Sequence, residues 1–209
     1  MSYPNFNIEK KIGGTVIGID EVGRGPLAGP VVSCACIFLD YSIEQSRLSL
    51  FDDSKKLTIK KRCEAFHQVY QLKNENKLRF SLGFANVVEI DKLNILEAAK
   101  ISMRRAVQKL HYKKANLIID GRIDLQFPQY RSNGIIKGDQ KSYSIATASI
   151  IAKTHRDRYM QYLSLQHPHY DWGKNVGYGT KKHIRQIHKN GITHHHRKSF
   201  KPIKSLIHK

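Results

Sequence analysis

Apolar positions along the chain fall into runs and periods that alternate between strand and helix. Residues 15–20 (TVIGID) read as a strand, and residues 31–39 (VVSCACIFL) form an unbroken apolar run suited to a strand covered on both faces. Leu78, Phe80, Leu82 and Phe84 alternate with Lys77, Arg79, Ser81 and Gly83, the period of a half-exposed strand. Between these, Ile59, Cys63, Phe66 and Tyr70 recur at helical spacing behind an N-cap candidate, Thr58. Leu93, Leu96, Ala99, Met103, Ala106 and Leu110 carry a longer helix. Short strands follow at 117–120 and 135–137, and a helix over about 142–163 closes the main body. Three strands, a helix, two strands and a helix predict an α/β fold with a mixed five-stranded sheet flanked by helices.

With 209 residues, 40% of them hydrophobic and 25% charged, the chain has the composition of a folded domain with an appendage. The charge is less ordinary: 36 Lys and Arg against 17 Asp and Glu leave +19, which points to a polyanionic partner. The last acid is Asp171, and beyond it lie ten Lys or Arg and six His. Residues 1–171 therefore read as the main domain, and 172–209 as a basic helical extension that completes a phosphate-binding surface. Cys34, Cys36 and Cys63 form no CxxC and read as buried small hydrophobes in a reducing compartment. The N-terminal residues carry no signal-peptide pattern and no apolar stretch is long enough to span a membrane, so the expectation is a cytoplasmic monomer without a membrane partner.

The few acids sit at telling places. Asp20 and Glu21 close the first strand before the glycine turn Gly23-Arg24-Gly25, Asp120 closes the 117–120 strand before Gly121, and Asp139 lies just beyond the fifth strand. Strand ends are where α/β sheets bind ligands. Asp139 also suits a helix N-cap and Asp120 a turn. As a set, the four would repel one another unless a cation joined them, and an all-oxygen set suits Mg²⁺ or Mn²⁺. Carboxylate-held metal beside a basic surface is what phosphodiester hydrolysis needs. Asp157, mid-helix among Lys153, Arg156 and Arg158, reads as a structural ion-pair partner. Three successive histidines, His194 to His196, suit no single tetrahedral metal centre.

GIDEVGRGPLAGPVV (18–32) resembles the opening signature of the ribonuclease HII family. DSKKLT (53–58), IIDG (118–121), KGDQKSYSIATASIIAKTHRD (137–157), GYGTKKH (177–183) and HRKSF (196–200) resemble its later blocks, in order. The likeness runs over about 14–203, and Gly23-Arg24-Gly25 differs from the Gly-Lys-Gly of the sister ribonuclease HIII family. The resemblance implies a ribonuclease H-like fold with a helical C-terminal extension. It implies an endonuclease that cuts RNA in RNA–DNA hybrids and cuts 5′ of single ribonucleotides in duplex DNA, leaving 5′-phosphate and 3′-hydroxyl, in support of ribonucleotide removal. It assigns Asp20, Glu21, Asp120 and Asp139 as catalytic metal ligands for two Mg²⁺ or Mn²⁺ ions, with Asp20 bridging. Gly23, Arg24, Gly25 and Tyr178 would meet the ribonucleotide, and Lys55 and Lys56 the phosphates.

Two other classes stay open from the residues alone. A non-catalytic nucleic-acid-binding module would account for the charge but not for acids gathered after strands. A junction resolvase would use such acids but would have no need of a ribose-reading turn.

Overall fold

The computed structural model describes residues 3–52, 54 and 57–207. In chain order the elements are α1 (Asn7–Ile12), β1 (Val16–Val22), β2 (Val31–Phe38), α2 (Gln45–Leu48), α3 (Ile59–Asn74), β3 (Leu78–Ala85), α4 (Val87–Leu93), α5 (Ile95–Gln108), β4 (Asn116–Asp120), β5 (Arg131–Ile135), α6 (Tyr143–Gln166), α7 (Trp172–Asn175), α8 (Lys181–Asn190) and α9 (Ile203–Ile207). The strands form one sheet in the order β3-β2-β1-β4-β5. β2 runs antiparallel to both β1 and β3, whereas β1, β4 and β5 form a parallel half. This is the mixed five-stranded sheet that the apolar pattern predicts.

Both faces of the central strands are covered. On one face Cys34, Cys36 and Phe38 pack with Phe66 and Val69 of α3 and with Ala148 and Ile151 of α6. On the other, Ile17, Ile19, Ala35 and Ile37 pack with Met103, Ala106 and Val107 of α5. Each large side chain removed from water in this way contributes about 1.5–3 kcal/mol. α6 lies directly on β1, because a Cβ at Gly18 would collide with the backbone of Ser144. Glu9 of α1, fully buried, accepts from the Ser142 hydroxyl at 2.6 Å and the Ser144 N–H at 3.1 Å, capping the start of α6 with a negative charge.

Several expectations are corrected. β5 is displaced to Arg131–Ile135, a poorly apolar edge strand paired only with β4. The single long helix is two, broken at Asn94, which adopts φ 70° and caps α5 with its own side chain. α3 buries Ala65, Phe66, Val69 and Leu72, so Ile59 and Cys63 face solvent; only Cys34 and Cys36 are buried thiols. β3 buries Gly83 and Ala85 and exposes Phe84, because α5 sits on its small residues. Apart from these corrections, the segment after Asp171 lies on the body, where Trp172, Ile187 and Ile203 pack with Leu27, Ala28 and Met160.

Candidate active site

Parallel pairing sets Ile17 beside Leu117 and Ile19 beside Ile119, so the next residues, Asp20 and Asp120, lie side by side at the ends of the ladder. Alternation fixes their direction. Ile17, Ile19, Leu117 and Ile119 face α5, and Val16 and Ile118 face Ile145 of α6, which puts both acids on the α6 side. Asp20 is 6% exposed and accepts from the Glu21 N–H at 2.7 Å and from the Ser149 hydroxyl of α6. Burial pushes its carboxyl well above the usual range, and the charges of Glu21 and Asp120 push the same way. Its two hydrogen bonds pull only partly against them.

Asp120 accepts from the Gly138 N–H at 2.7 Å. Gly138 opens the 3₁₀ turn Gly138–Gln140, entered through Lys137 in the left-handed region (φ 54°), and Asp139 is buried on that turn. β1 continues past both acids to Val22, so Asp20 and Glu21 lie within the strand rather than at its end, and the Glu21 charge acts on Asp20. Arg24 reaches the Glu21 carboxylate at 3.3 Å. Among the described residues, no three Asp, Glu, His or Cys side chains are gathered into a ready metal cage. The fold thus sets Asp20 against Asp120, places Asp139 one residue beyond a partner of Asp120, and keeps the Glu21 charge close enough to act on Asp20.

Lys55 and Lys56 lie outside the described residues. Ser54, between Asp53 and Lys55, is 2.9 Å from Ser149 through its hydroxyl and so belongs to the same hydrogen-bonded chain as Asp20. One helical turn beyond Ser149, Lys153 borders a cavity of about 290 Å³ that Arg62, Arg158 and Lys174 also line. Asp157 there is held by Arg62 at 3.0 Å and Lys153 at 2.8 Å, a structural ion pair as its position suggests, although Arg156 and Arg158 are not its partners.

The turn after β1 meets the C-terminal segments. Gly23 has φ 96°, and the space where its Cβ would stand is filled by Arg156 and the Pro30 carbonyl. A Cβ on Gly25 would lie 3.3 Å from the ring of Tyr178, which is 47% exposed. Sequence reasoning identifies this pair but misses what fixes it. His183 approaches the Tyr178 carbonyl through Nδ1 at 2.9 Å, while Trp172 Nε1 donates to His183 Nε2 at 3.0 Å. The Thr193 N–H donates to His196 Nδ1 at 2.9 Å, and His196 Nε2 is 3.1 Å from His183 Nε2. Each ring nitrogen then has one consistent role, with both imidazoles neutral and His183 donating to the tyrosine carbonyl. Arg156 and Arg197, both fully buried, are also missed. Ser149 and Arg156 lie inside the 137–157 block and Arg197 inside the 196–200 block, but no apolar period marks them.

A mixed sheet with acids at the ends of adjoining parallel strands, faced by a long helix and a basic surface, defines a nuclease of the ribonuclease H-like class. The solved ribonuclease H2 from Pyrococcus horikoshii OT3 superposes with a TM-score of 0.72 at 22% identity, covering 92% of this chain and 97% of that one. Bst-RNase HIII in complex with Mn²⁺ superposes at 0.64 with 17% identity, covering 93% and 69%. These likenesses establish the fold. The ribonuclease HII family model matches residues 17–203. The ribonuclease HII of Wolbachia pipientis subsp. Culex pipiens (strain wPip) is 46% identical over 208 residues, 99% of this chain and 100% of the relative. The chain belongs to the ribonuclease HII family, and with that membership it is a ribonuclease H, an endonuclease hydrolysing the RNA of RNA–DNA hybrids.

Proposed function

We propose that the protein also cuts duplex DNA at single embedded ribonucleotides, on their 5′ side, leaving 5′-phosphate and 3′-hydroxyl, in a reaction dependent on Mg²⁺ or Mn²⁺. The observation that carries this reading is the Asp20–Asp120 pair: a buried acid beside a partly buried one, with the Asp20 proton affinity raised by burial and like charge. Such an arrangement opposes folding unless a cation offsets it, and its oxygen donors fit a hard divalent ion. Asp20, Glu21, Asp120 and Asp139 would hold it. The bound cation supplies activation of the attacking water and stabilises the leaving 3′-oxygen.

The chain's own residues do the rest. Ser149 and the Glu21 amide orient the Asp20 carboxylate, and Gly138 orients that of Asp120, so their outer oxygens keep one direction. Arg24, close to Glu21 and half-exposed, is placed to move to a phosphate beside the scissile bond. Gly23 lets the turn close over Arg156, Gly25 keeps it free of a side chain where a ribose 2′-hydroxyl approaches, and the Tyr178 ring offers a flat surface for the adjoining sugar. The Arg62–Lys153–Arg158–Lys174 cavity extends the phosphate track. Among the described residues no helix is long and apolar enough to cross a membrane.

The decisive experiment is wild type against Asp20→Asn on a duplex with one ribonucleotide, in Mg²⁺, Mn²⁺ or chelator, with the cut mapped. One cut 5′ of the ribonucleotide, lost in chelator and in the variant, is the expected result. Full activity of the variant in Mg²⁺ sinks the assignment. Equal cutting of an all-DNA four-way junction points instead to a resolvase.

A further inference from the structure

Arg156 and Arg197 are fully buried in a protein with ample surface for cations. A guanidinium taken from water is costly unless its donors are satisfied. The charges of Asp157 and Asp91 reach Arg156 and Arg197 respectively, but the hydrogen-bond acceptors of both guanidinium groups are backbone carbonyls. Arg197 donates from Nη2 to Gly23 O at 2.5 Å, from Nη1 to Arg24 O at 2.9 Å, and from Nε and Nη2 to Gly29 O at 3.0 and 2.8 Å. Arg156 donates to Pro30 O at 3.0 Å, Ala28 O at 3.0 Å and Val176 O at 2.9 Å. Every nitrogen of both forks is used, and most of the carbonyls belong to the turn that follows β1.

We propose that Arg197, backed by Arg156, is a positioning residue for ribonucleotide recognition: by drawing the Gly23 and Arg24 carbonyls inward it aims the amide N–H groups of Arg24 and Gly25 at the substrate. This rests on the reading above that the turn meets the ribonucleotide. The geometry follows from the peptide group. A trans peptide is planar with C=O and N–H pointing in opposite directions. When Gly23 O and Arg24 O turn to the buried guanidinium, the Arg24 and Gly25 N–H groups point the other way, away from it. Successive outward amides form a concave donor site for an anionic or hydroxyl oxygen.

A lysine could not do the same. Its single nitrogen cannot span three carbonyls in a fixed plane, whereas the guanidinium fork sets their mutual angles. The arm carrying Arg197 is itself fastened to the turn, with Arg197 N–H donating to Leu27 O at 2.8 Å and Gly29 N–H to His195 O at 2.9 Å. Leu27 N–H in turn donates to Gly177 O at 2.8 Å, which ties in the segment bearing Tyr178. Burial lowers the Arg197 guanidinium to about 9 and that of Arg156 to about 10, so both remain cationic at neutral pH. Carbonyl dipoles leave their positive charge under the turn, where a phosphate benefits from it.

The test is Arg197→Lys, which keeps the charge and removes the fork. Expected is a cooperative melt and affinity for an all-DNA duplex within about twofold of wild type, since that affinity comes from dispersed phosphate contacts. On the single-ribonucleotide duplex kcat falls about tenfold or more with KM little changed, because misorientation costs rate rather than encounter. A parallel measurement needs no variant: in chelator, the Arg24 and Gly25 amide resonances of the wild-type protein shift with the ribonucleotide duplex and not with its all-deoxy counterpart. This measurement decides alone if Arg197→Lys does not fold. Wild-type kcat in Arg197→Lys, or equal amide shifts with both duplexes, overturns the proposal while leaving the functional reading intact. A wild-type protein with no preference for the ribonucleotide overturns that reading, and the positioning role with it.

Discussion

The backbone N–H of Gly138 donates to a carboxylate oxygen of Asp120 at 2.7 Å, and this bond fastens the turn bearing Asp139 to the strand bearing Asp120. Charge and fastening are therefore separable at one residue. Asp120→Asn keeps an oxygen that accepts from Gly138 and loses the charge, so activity on an RNA–DNA hybrid falls by about 10² or more with melting nearly unchanged. Asp120→Ala loses both and destabilises by a further 1–3 kcal/mol or so, as the Gly138 amide loses its partner. Calorimetry beside the activity assay distinguishes them; equal melting of the two variants contradicts the fastening role.

Gly18 sets how closely α6 approaches β1. A methyl at that position meets the Ser144 backbone, which cannot yield as a flexible side chain would. Gly18→Ala is expected to cost about 3 kcal/mol, at the upper end for overpacking. It should also lower activity by pushing Ser149 off Asp20. Urea unfolding gives the first effect; activity measured well below the unfolding midpoint gives the second.

Tyr178 stands half in solvent over Gly25, so its ring contributes little to folding. Tyr178→Ala should change stability by less than about 1 kcal/mol and reduce kcat/KM on the single-ribonucleotide duplex by about tenfold, on the scale of one lost stacking contact. Tyr178→Phe retains the ring and separates stacking from the hydroxyl. A large stability loss in the alanine variant would instead mark the ring as core.

The histidine cluster makes a pH prediction. Burial pushes His196 down to about 3 and His195 down to about 4, with neighbouring histidines adding to both shifts. Protonating His196 also breaks its acceptance from Thr193. The unfolded chain titrates these rings near about 6.5, so below that pH it takes up protons that the folded protein refuses, and stability falls as pH drops from about 6.5 toward 4. Asp20 acts with the opposite sign, since its raised value lets the folded state bind a proton first. In the Asp20→Asn background, denaturant unfolding at pH 7 and pH 5 should therefore differ by roughly 1–3 kcal/mol, with the lower value at pH 5. A flat or rising profile would mean the rings are not held neutral.

The sheet was legible because its central strands are apolar on both faces, and the acids stood out because Asp20 and Asp120 follow such strands. What was hidden had the wrong surface chemistry for its position. Ser81 and Gly83 read as solvent-facing, yet Ser81 donates to Ala106 O and Gly83 makes room for α5. β5 was misplaced because an edge strand of sequence RSNGI carries no apolar run. Arg156 and Arg197 were indistinguishable from the other basic residues, since nothing local reports that a guanidinium will be sealed beneath carbonyls. Asn94 divides a helix that periodicity alone would continue, because its left-handed backbone and side-chain cap outweigh the apolar repeat.

The bond from Arg197 to Gly23 spans 174 positions of the chain. During synthesis, the strands and all four acids emerge long before the arginine that shapes the neighbouring turn. A nascent or truncated polypeptide ending ahead of residue 197 would carry the acids without the guanidinium that fastens the Gly23 and Arg24 carbonyls. The shape of that turn is in this sense the last feature the chain acquires, and it arrives only when tail and head have met.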